Sequence, residues 1–264
     1  MAKIISDAEL VNQFAQKAME EPESVITTRA PSDTEVCLRG GFITEDGKLI
    51  TTAEVRELTG ADEEFVSKTG SMAKALNALL ERGLVKLGNE EVTRDHLDTL
   101  LAGDRDSILI GIRCATFGRD LTLNVKCPNC STGQTCVINL VDDVPYRELK
   151  DKEKDRTWSM NTKRGSVTVS LPNGIVQKKL MDNVEKTSAE INTLLLSGCI
   201  TSVDGSPSVG AATALSLGMS DRAKVIDEIL SRNPGPRLGE VKKACQACGE
   251  DIELPLSLAD LFRL

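Results

Sequence analysis

A chain of 264 residues is long enough for one large domain or two ordinary ones, each burying its own core. Its 32 basic against 40 acidic residues leave a formal charge of -8, and one Trp, one Tyr and five Phe make only 3% aromatic, which excludes the basic, ring-rich surface of a general nucleic-acid binder. No apolar run approaches the roughly 20 residues that span a bilayer, and charges interrupt the N-terminus where a signal peptide needs an apolar centre, so the composition predicts a soluble protein made in the cytosol.

In chain order, residues 7 to 20 suit an amphipathic helix: Ser6 and Glu9 form a capping-box pattern, and Leu10, Phe14 and Ala18 recur at helical spacing. The stretch Glu20–Ser32, rich in Glu, Pro, Ser and Thr, ends it, leaving residues 1–32 as an arm that packs on a partner or on its own domain. "TEVCLRGGF" and "KLITT" read as strands. Helices follow at about 53 to 68, 71 to 82 and 94 to 102, with Thr51 or Thr52, Ser71 and Thr93 at the N-caps and Gly83 and Gly103 at the ends. A further helix from Asp104 to Phe117 carries Ile108, Leu109, Ile112 and Ala115 on one face. "LTLNV" and "CVINL" then read as two strands joined by a turn holding Cys127 and Cys130. "YRELKDKEKDRT" is most simply a solvated linker. Beyond it come a strand "SVTVSLP", a helical region from about Ile175 to Leu196, a Gly/Ser/Pro-rich loop, a helix from Asp221 to Leu230, and strands around Cys245 and Cys248. The turn-rich "SRNPGPRLG" precedes those strands, and an apolar "LADLFRL" end is expected to tuck into a core or a neighbour.

Several of these markers recur in the same order. Gly83 corresponds to Gly198, Asp104-Arg105 to Asp221-Arg222, and Cys127 to Cys245, at separations of 115 to 118 residues. Upstream, the segment around Cys37 resembles the one around Ser170, an alignment that gives the first copy about 18 extra residues, read as an added helix. After each Cys-x-x-Cys an apolar residue recurs at every second position: Cys136, Ile138, Leu140 and Ile252, Leu254, Leu256. The predicted architecture is therefore α+β, a tandem duplication of a helical module ending in a zinc-ribbon-like β-hairpin, divided as an arm at 1–32, a first module at 33–150 and a diverged second module at 151–264.

Eight cysteines in a reducing compartment point to metal or redox chemistry more than to disulfides. A Cys-x-x-Cys at a hairpin tip presents two thiolates to one side, and two tips together close a tetrahedron around zinc. Each half offers only two ligands, so Cys127, Cys130, Cys245 and Cys248 are expected to share one structural zinc per chain, with no position left for a catalytic water. Iron fits the same ligand set, and a redox dithiol or a pair of vestigial sites are the competing readings. Cys136, Cys199 and Cys37 align with Leu254, Leu84 and Ser170 rather than with ligands; these and Cys114 read as packing residues. Asp104-Arg105 and Asp221-Arg222 read first as helix-start chemistry, with the carboxylate at the positive helix end and the Arg free to bridge to a nearby carboxylate, and a partner contact is the alternative. His96, the only histidine, lies beside Asp95 and Asp98 and is expected to face solvent. With no phosphate loop, dinucleotide fingerprint or nucleophile elbow, nothing supports catalysis.

The segment "VTRDHLDTLLAGDRDSILIGIRCATFGRDLTLNVKCPNC" resembles the T-even-type phage baseplate hub proteins, a family also labelled baseplate hub assembly chaperones. The resemblance is carried by Gly103, Asp104, Arg105, Arg113, Phe117, Gly118, Cys127, Pro128 and Cys130, with "LTGADEEFV" upstream; it covers about residues 35 to 145 and only faintly the second copy. Copy two lacks a glycine before Asp221, has Gln-Ala between its cysteines, and carries Pro-Gly-Pro in place of Phe-Gly. What the resemblance implies is a non-enzymatic viral protein, assembled in the host cytoplasm, that either stays in the tail baseplate or helps build it and leaves. Its expected partners are other baseplate or hub proteins, two neighbouring subunits per chain if both modules dock, with no nucleic acid and no membrane. A zinc-ribbon nucleic-acid adaptor is the alternative from another class.

Overall fold

Alternating burial makes Glu35–Ile43 (β1) a strand, paired antiparallel with Leu49–Val55 (β2) across an irregularity between Cys37 and Phe42, where Gly41 takes φ +73°. The computed structural model describes residues 34–254 and 256–262. The arm expected at residues 1–32, with its helix at 7 to 20, lies outside them. β2 runs on through Ala53 and Val55, which are buried and pair with Leu87 and Leu84 of Leu84–Leu87 (β3). The helix expected from residue 53 accordingly starts only at Gly60, and its cap is Thr59, not Thr51 or Thr52. Helix α1 (Gly60–Ser67) closes a capping box through Asp62, and α2 (Met72–Gly83) is capped by Ser71, as its sequence predicts. Glu90–Glu91 (β4) completes a sheet in the order β1-β2-β3-β4.

Two helices close over this sheet, α3 (Arg94–Thr99, capped by Thr93) and α4 (Ala102–Phe117). Gly103 does not end a helix: it is the second residue of α4, placed there because a Cβ would lie 1.6 Å from the Pro234 carbonyl oxygen. His96 is half-buried and packs against Phe42, with ring centroids 5.2 Å apart, instead of facing solvent. Asp120–Lys126 (β5) and Gly133–Asn139 (β6) then form a hairpin.

The charged segment that follows is tied down, not solvated. Tyr146–Arg147 (β7) pairs with Gly235–Pro236 (β12), Leu149 is buried, and the Arg156 guanidinium donates to the Gly40 and Gly41 carbonyls. Thr157–Thr162 (β8) and Gly165–Ser170 (β9) pair antiparallel, and the helical region beyond them is two helices, α5 (Gly174–Met181) and α6 (Ser188–Cys199). The break comes from Thr187, which with Glu190 makes the capping box of a new helix. Ile200–Val203 (β10) and Ser206–Pro207 (β11) complete a sheet in the order β8-β9-β10-β11. The Gly/Ser/Pro-rich loop then holds a short helix, α7 (Ala211–Ser216), and leads into α8 (Met219–Arg232). Lys242–Ala244 (β13), Asp251–Glu253 (β14) and Leu258–Phe262 (α9) end the described chain.

A similar element order runs twice, two strands, two helices, two strands, two helices and a hairpin, with β7 between the runs, β12 and a 3-10 turn (Leu238–Glu240) inserted before the second hairpin, and α9 after it. Two helices separate β2 from β3 and two separate β9 from β10, so the first half carries no added helix. The segments around Cys37 and Ser170 lie on β1 and β9, which hold different places in their sheets, first in β1-β2-β3-β4 and second in β8-β9-β10-β11.

Among the described residues three apolar clusters hold these elements, the smallest made of Leu101, Leu149 and Leu171. A second gathers Val167, Val169, Leu196, Val225 and Ile229. The largest, around Leu38, Leu80, Ile108, Ile112 and Ile138, also takes in Val241, Ile252, Leu254, Leu261 and Phe262 from the C-terminal end. Burying each such side chain contributes about 1.5–3 kcal/mol. Arg113 fixes α9 there by donating from Nε to the Leu261 carbonyl at 2.8 Å.

Candidate metal centre

Both hairpin tips fold the same way. The Cys127 amide donates to the Thr132 carbonyl (2.9 Å) and the Ser131 amide to the Cys127 carbonyl (2.9 Å); in the second tip the Cys245 amide donates to Glu250 (2.8 Å) and the Gly249 amide to Cys245 (2.9 Å). The chain reverses through a left-handed residue in each, Ser131 at φ +60° and Gly249 at φ +78°, a conformation cheap for Gly and costly for Ser. Amphipathic strands explain the placement of the tips: Cys136, Ile138 and Leu140 on one side, and Ile252, Leu254 and Leu256 on the other, are all buried in the largest core. Between the hairpins, the Gln246 amide donates to Gln134 Oε1 at 2.9 Å, a tie the sequence reading missed.

Those strands bring the four expected residues together. Cys127 Sγ lies 3.8 Å from Cys248 Sγ and Cys130 Sγ 3.7 Å from Cys245 Sγ, and all four sulfurs fall within 4.8 Å of one another. The short contacts join opposite tips, so neither tip alone makes the cluster. These separations are far longer than a disulfide of about 2.05 Å. A tetrahedron with metal–sulfur bonds of about 2.3 Å has edges of about 3.8 Å, so the donor set fits a thiophilic four-coordinate ion.

Cys127 and Cys245 are buried while Cys130 and Cys248 reach the surface. The Thr132 hydroxyl and amide hold the Cys130 thiol down, to about 6. Backbone amides of Cys248 and Ala247 lower Cys245. Cys248 moves the other way, to about 11: the Glu250 amide favours its thiolate, but burial and the neighbouring thiols outweigh that. Hairpins, not a helix start, flank both dithiols, unlike the helix-start placement of a thioredoxin-type dithiol.

Of the cysteines expected to pack, Cys114, Cys136 and Cys199 are buried, and burial pushes Cys199 up to about 12. Cys37 is exposed, because it falls on the outward-facing side of β1.

The Asp-Arg pairs do more than start helices. Asp104 and Asp221 are each the third residue of their helix and are buried; Asp104 accepts from the Gly40 amide (3.0 Å) and Asp221 from the Lys163 amide (2.9 Å). Burial raises Asp104 to about 6. Arg105 is not free to bridge to a carboxylate. It donates to the Leu97 carbonyl (2.5 Å), Asn77 Oδ1 (2.5 Å) and Gln177 Oε1 (2.6 Å), and desolvation lowers its pKa. Arg222 follows the same plan, donating to the Ala214 carbonyl (2.7 Å) and the Thr193 hydroxyl (2.9 Å). Each Arg reaches the carbonyl eight residues before it and a polar side chain on α2 or α6. A buried arginine network could have been suspected from an Arg in the first turn beside apolar neighbours, but its acceptors lie too far away in sequence to be seen.

Among the described residues, no helix is long and apolar enough to cross a membrane. A family described as "T4 bacteriophage base plate protein" matches residues 30–229 of the chain. No curated protein and no solved structure matches it.

Proposed function

The chain belongs to the T4 bacteriophage base plate protein family, and from that premise we propose that it is a non-enzymatic structural part of a contractile-type tail baseplate, close to the hub. The match over residues 30–229 is the observation that carries this reading. We read the chain as two sister modules, 33–150 and 151–264. The repeated element order, the two sheets of like strand order and the parallel roles of Arg105 and Arg222 support the duplication.

Cys127, Cys130, Cys245 and Cys248 are the ligands of one structural zinc per chain in this reading, two from each zinc-ribbon-like hairpin. The sulfur spacing supports it, and full sulfur coordination leaves the ion no open position for catalysis. An ion so held would join residues more than a hundred positions apart, and structural zinc contributes folding free energy outright, about 10–16 kcal/mol in finger peptides at neutral pH. The result is a stiff block suited to bearing load between neighbours. Its partners are other baseplate or hub proteins, met in the virion after assembly in the host cytoplasm.

A mass-spectrometric inventory of purified intact particles tests this directly. The chain is expected there in fixed ratio to the other tail proteins. Presence in infected lysate with absence from mature particles would instead make it an assembly chaperone.

A further inference from the structure

The way the two halves meet inside one chain leaves a matching pair of faces unused. In the first half, the α3–α4 junction receives the start of α5: the Ala102 amide donates to the Pro172 carbonyl (2.9 Å), the Gly174 amide to the Leu100 carbonyl (2.9 Å), Arg105 reaches Gln177, and Lys178 pairs with Asp98 at 2.5 Å. The approach is so close that a Cβ on Gly174 would lie 2.3 Å from the Leu97 carbonyl oxygen. Glycine at the first position of α5 is required by this contact.

Counted along the sequence from the matching arginines, Arg105 and Arg222, Asp98 corresponds to Leu215, Ala102 to Met219 and Asp106 to Ala223. The α7–α8 junction is thus the same receiving face rebuilt in apolar residues. It stands open, with Leu215 68% and Met219 89% exposed and Ala223 exposed. On the other side, Thr59 and Asn173 are matching N-caps, so Gly60 corresponds to Gly174 and Glu63 to Gln177. Nothing lies within 4 Å of a Cβ built on Gly60, and its φ is not left-handed. Among the described residues no contact or backbone conformation calls for a glycine there, although glycine weakens a helix.

We propose that a second copy of this chain seats its β2–α1 junction, centred on Gly60, on the exposed Leu215–Met219–Ala223 face, so that chains associate head to tail. The proposal rests on the duplication reading above. The internal contact is the template: one half gives its α5 start and the other receives it, which leaves one giver and one receiver per chain. Such a contact is heterologous and generates a ring or an open filament, not a two-fold dimer. At one of the template's two polar pairs charge favours the docking, since Glu63 would bring a carboxylate to Arg222 where Gln177 brings an amide to Arg105; the Asp98–Lys178 pair has Leu215 and Glu64 in its places. The exposed apolar stripe gains a partner that buries it.

Sedimentation velocity on the full metal-loaded chain tests this, with Met219→Glu to spoil the receiver and Gly60→Gln to block the giver. The wild type is expected to form species larger than a dimer. Each variant alone is expected to be a monomer with unchanged circular dichroism. Mixed one to one, they retain one sound junction and should give a dimer and nothing larger. A wild type that stays monomeric at about 100 μM, where even a weak interface fills, overturns the proposal. So does a mixture of folded variants that fails to pair. If Asn77→Ala and Thr193→Ala weaken their halves in the same manner while the wild type is monomeric, the duplication stands and the association alone fails.

Discussion

Truncating Arg105 should be among the most damaging single changes available outside the core, and its counterpart Arg222 shows how much of that depends on burial. Arg105→Ala removes three charge-assisted hydrogen bonds, to Leu97, Asn77 and Gln177, from a guanidinium that is 1% exposed. Bonds to charged groups are worth about 1.5–3 kcal/mol each. The three cannot simply be added, because the mutant no longer bears the cost of burying a cation. Asn77 and Gln177 also keep partners for their amide nitrogens, in Ala73 and Asp106. The net loss is then about 3–5 kcal/mol, from three acceptors left buried without a donor at about 1–3 kcal/mol each, less the relief of no longer burying the cation. Arg222 is half-buried, water can replace its bonds to Ala214 and Thr193, and Arg222→Ala should cost about 1–2 kcal/mol. Urea unfolding followed through Trp158, the single tryptophan, measures both at fixed metal concentration. A loss for Arg105→Ala within about 1 kcal/mol of that for Arg222→Ala would refute the reasoning.

Asp104 gives a pH signature. Its folded-state pKa is raised from 3.8 to about 6, so the folded state binds more protons between those values and stability falls as pH rises through that window, by at most about 3 kcal/mol. Burial raises Asp106 to about 6 as well, so Asp104→Asn should remove only Asp104's share of that slope, about half; an unchanged slope would deny the carboxyl its role. Glycine substitutions should divide by contact: Gly174→Ala destabilises because its Cβ meets the Leu97 carbonyl, whereas Gly60→Ala stabilises the isolated chain by about 0.5–1 kcal/mol, both read from thermal unfolding. In thiol labelling with maleimide, exposed Cys37 should react first in the metal-loaded protein while Cys114, Cys136 and Cys199 stay protected. A chelator should add the four cluster cysteines to the labelled set, and labelling of all four before chelation would count against a bound ion.

How much of this was legible in the sequence follows from the range of the interactions. The hairpins and their cysteines were readable because a knuckle is local: two ligands, small turn residues and an alternating strand on each side. Caps at Ser71 and Thr93 were readable for the same reason. The break at Thr187 had a local signal as well, Thr-x-x-Glu, masked by the apolar run that continues beyond it. Thr51 and Thr52 misled because they are also good strand residues, and pairing of β2 on both edges outweighs a helix cap. Gly103 and the segment from Tyr146 to Thr157 were misread because what decides them, Pro234 and the Gly235–Pro236 strand, lies far along the chain. The apolar end around Leu261 and Phe262 announces burial in a core, but that it and the C-terminal hairpin join the core of the first half left no trace in local pattern.

Elemental analysis of the purified chain, set against its concentration from amino-acid analysis, bears most directly on the central idea that the two hairpins hold one ion between them. The expected result is one zinc per chain, falling to none in both Cys127→Ser and Cys245→Ser, since either change opens the shared shell. Protein that is folded and free of metal, or a ratio of two, would contradict it.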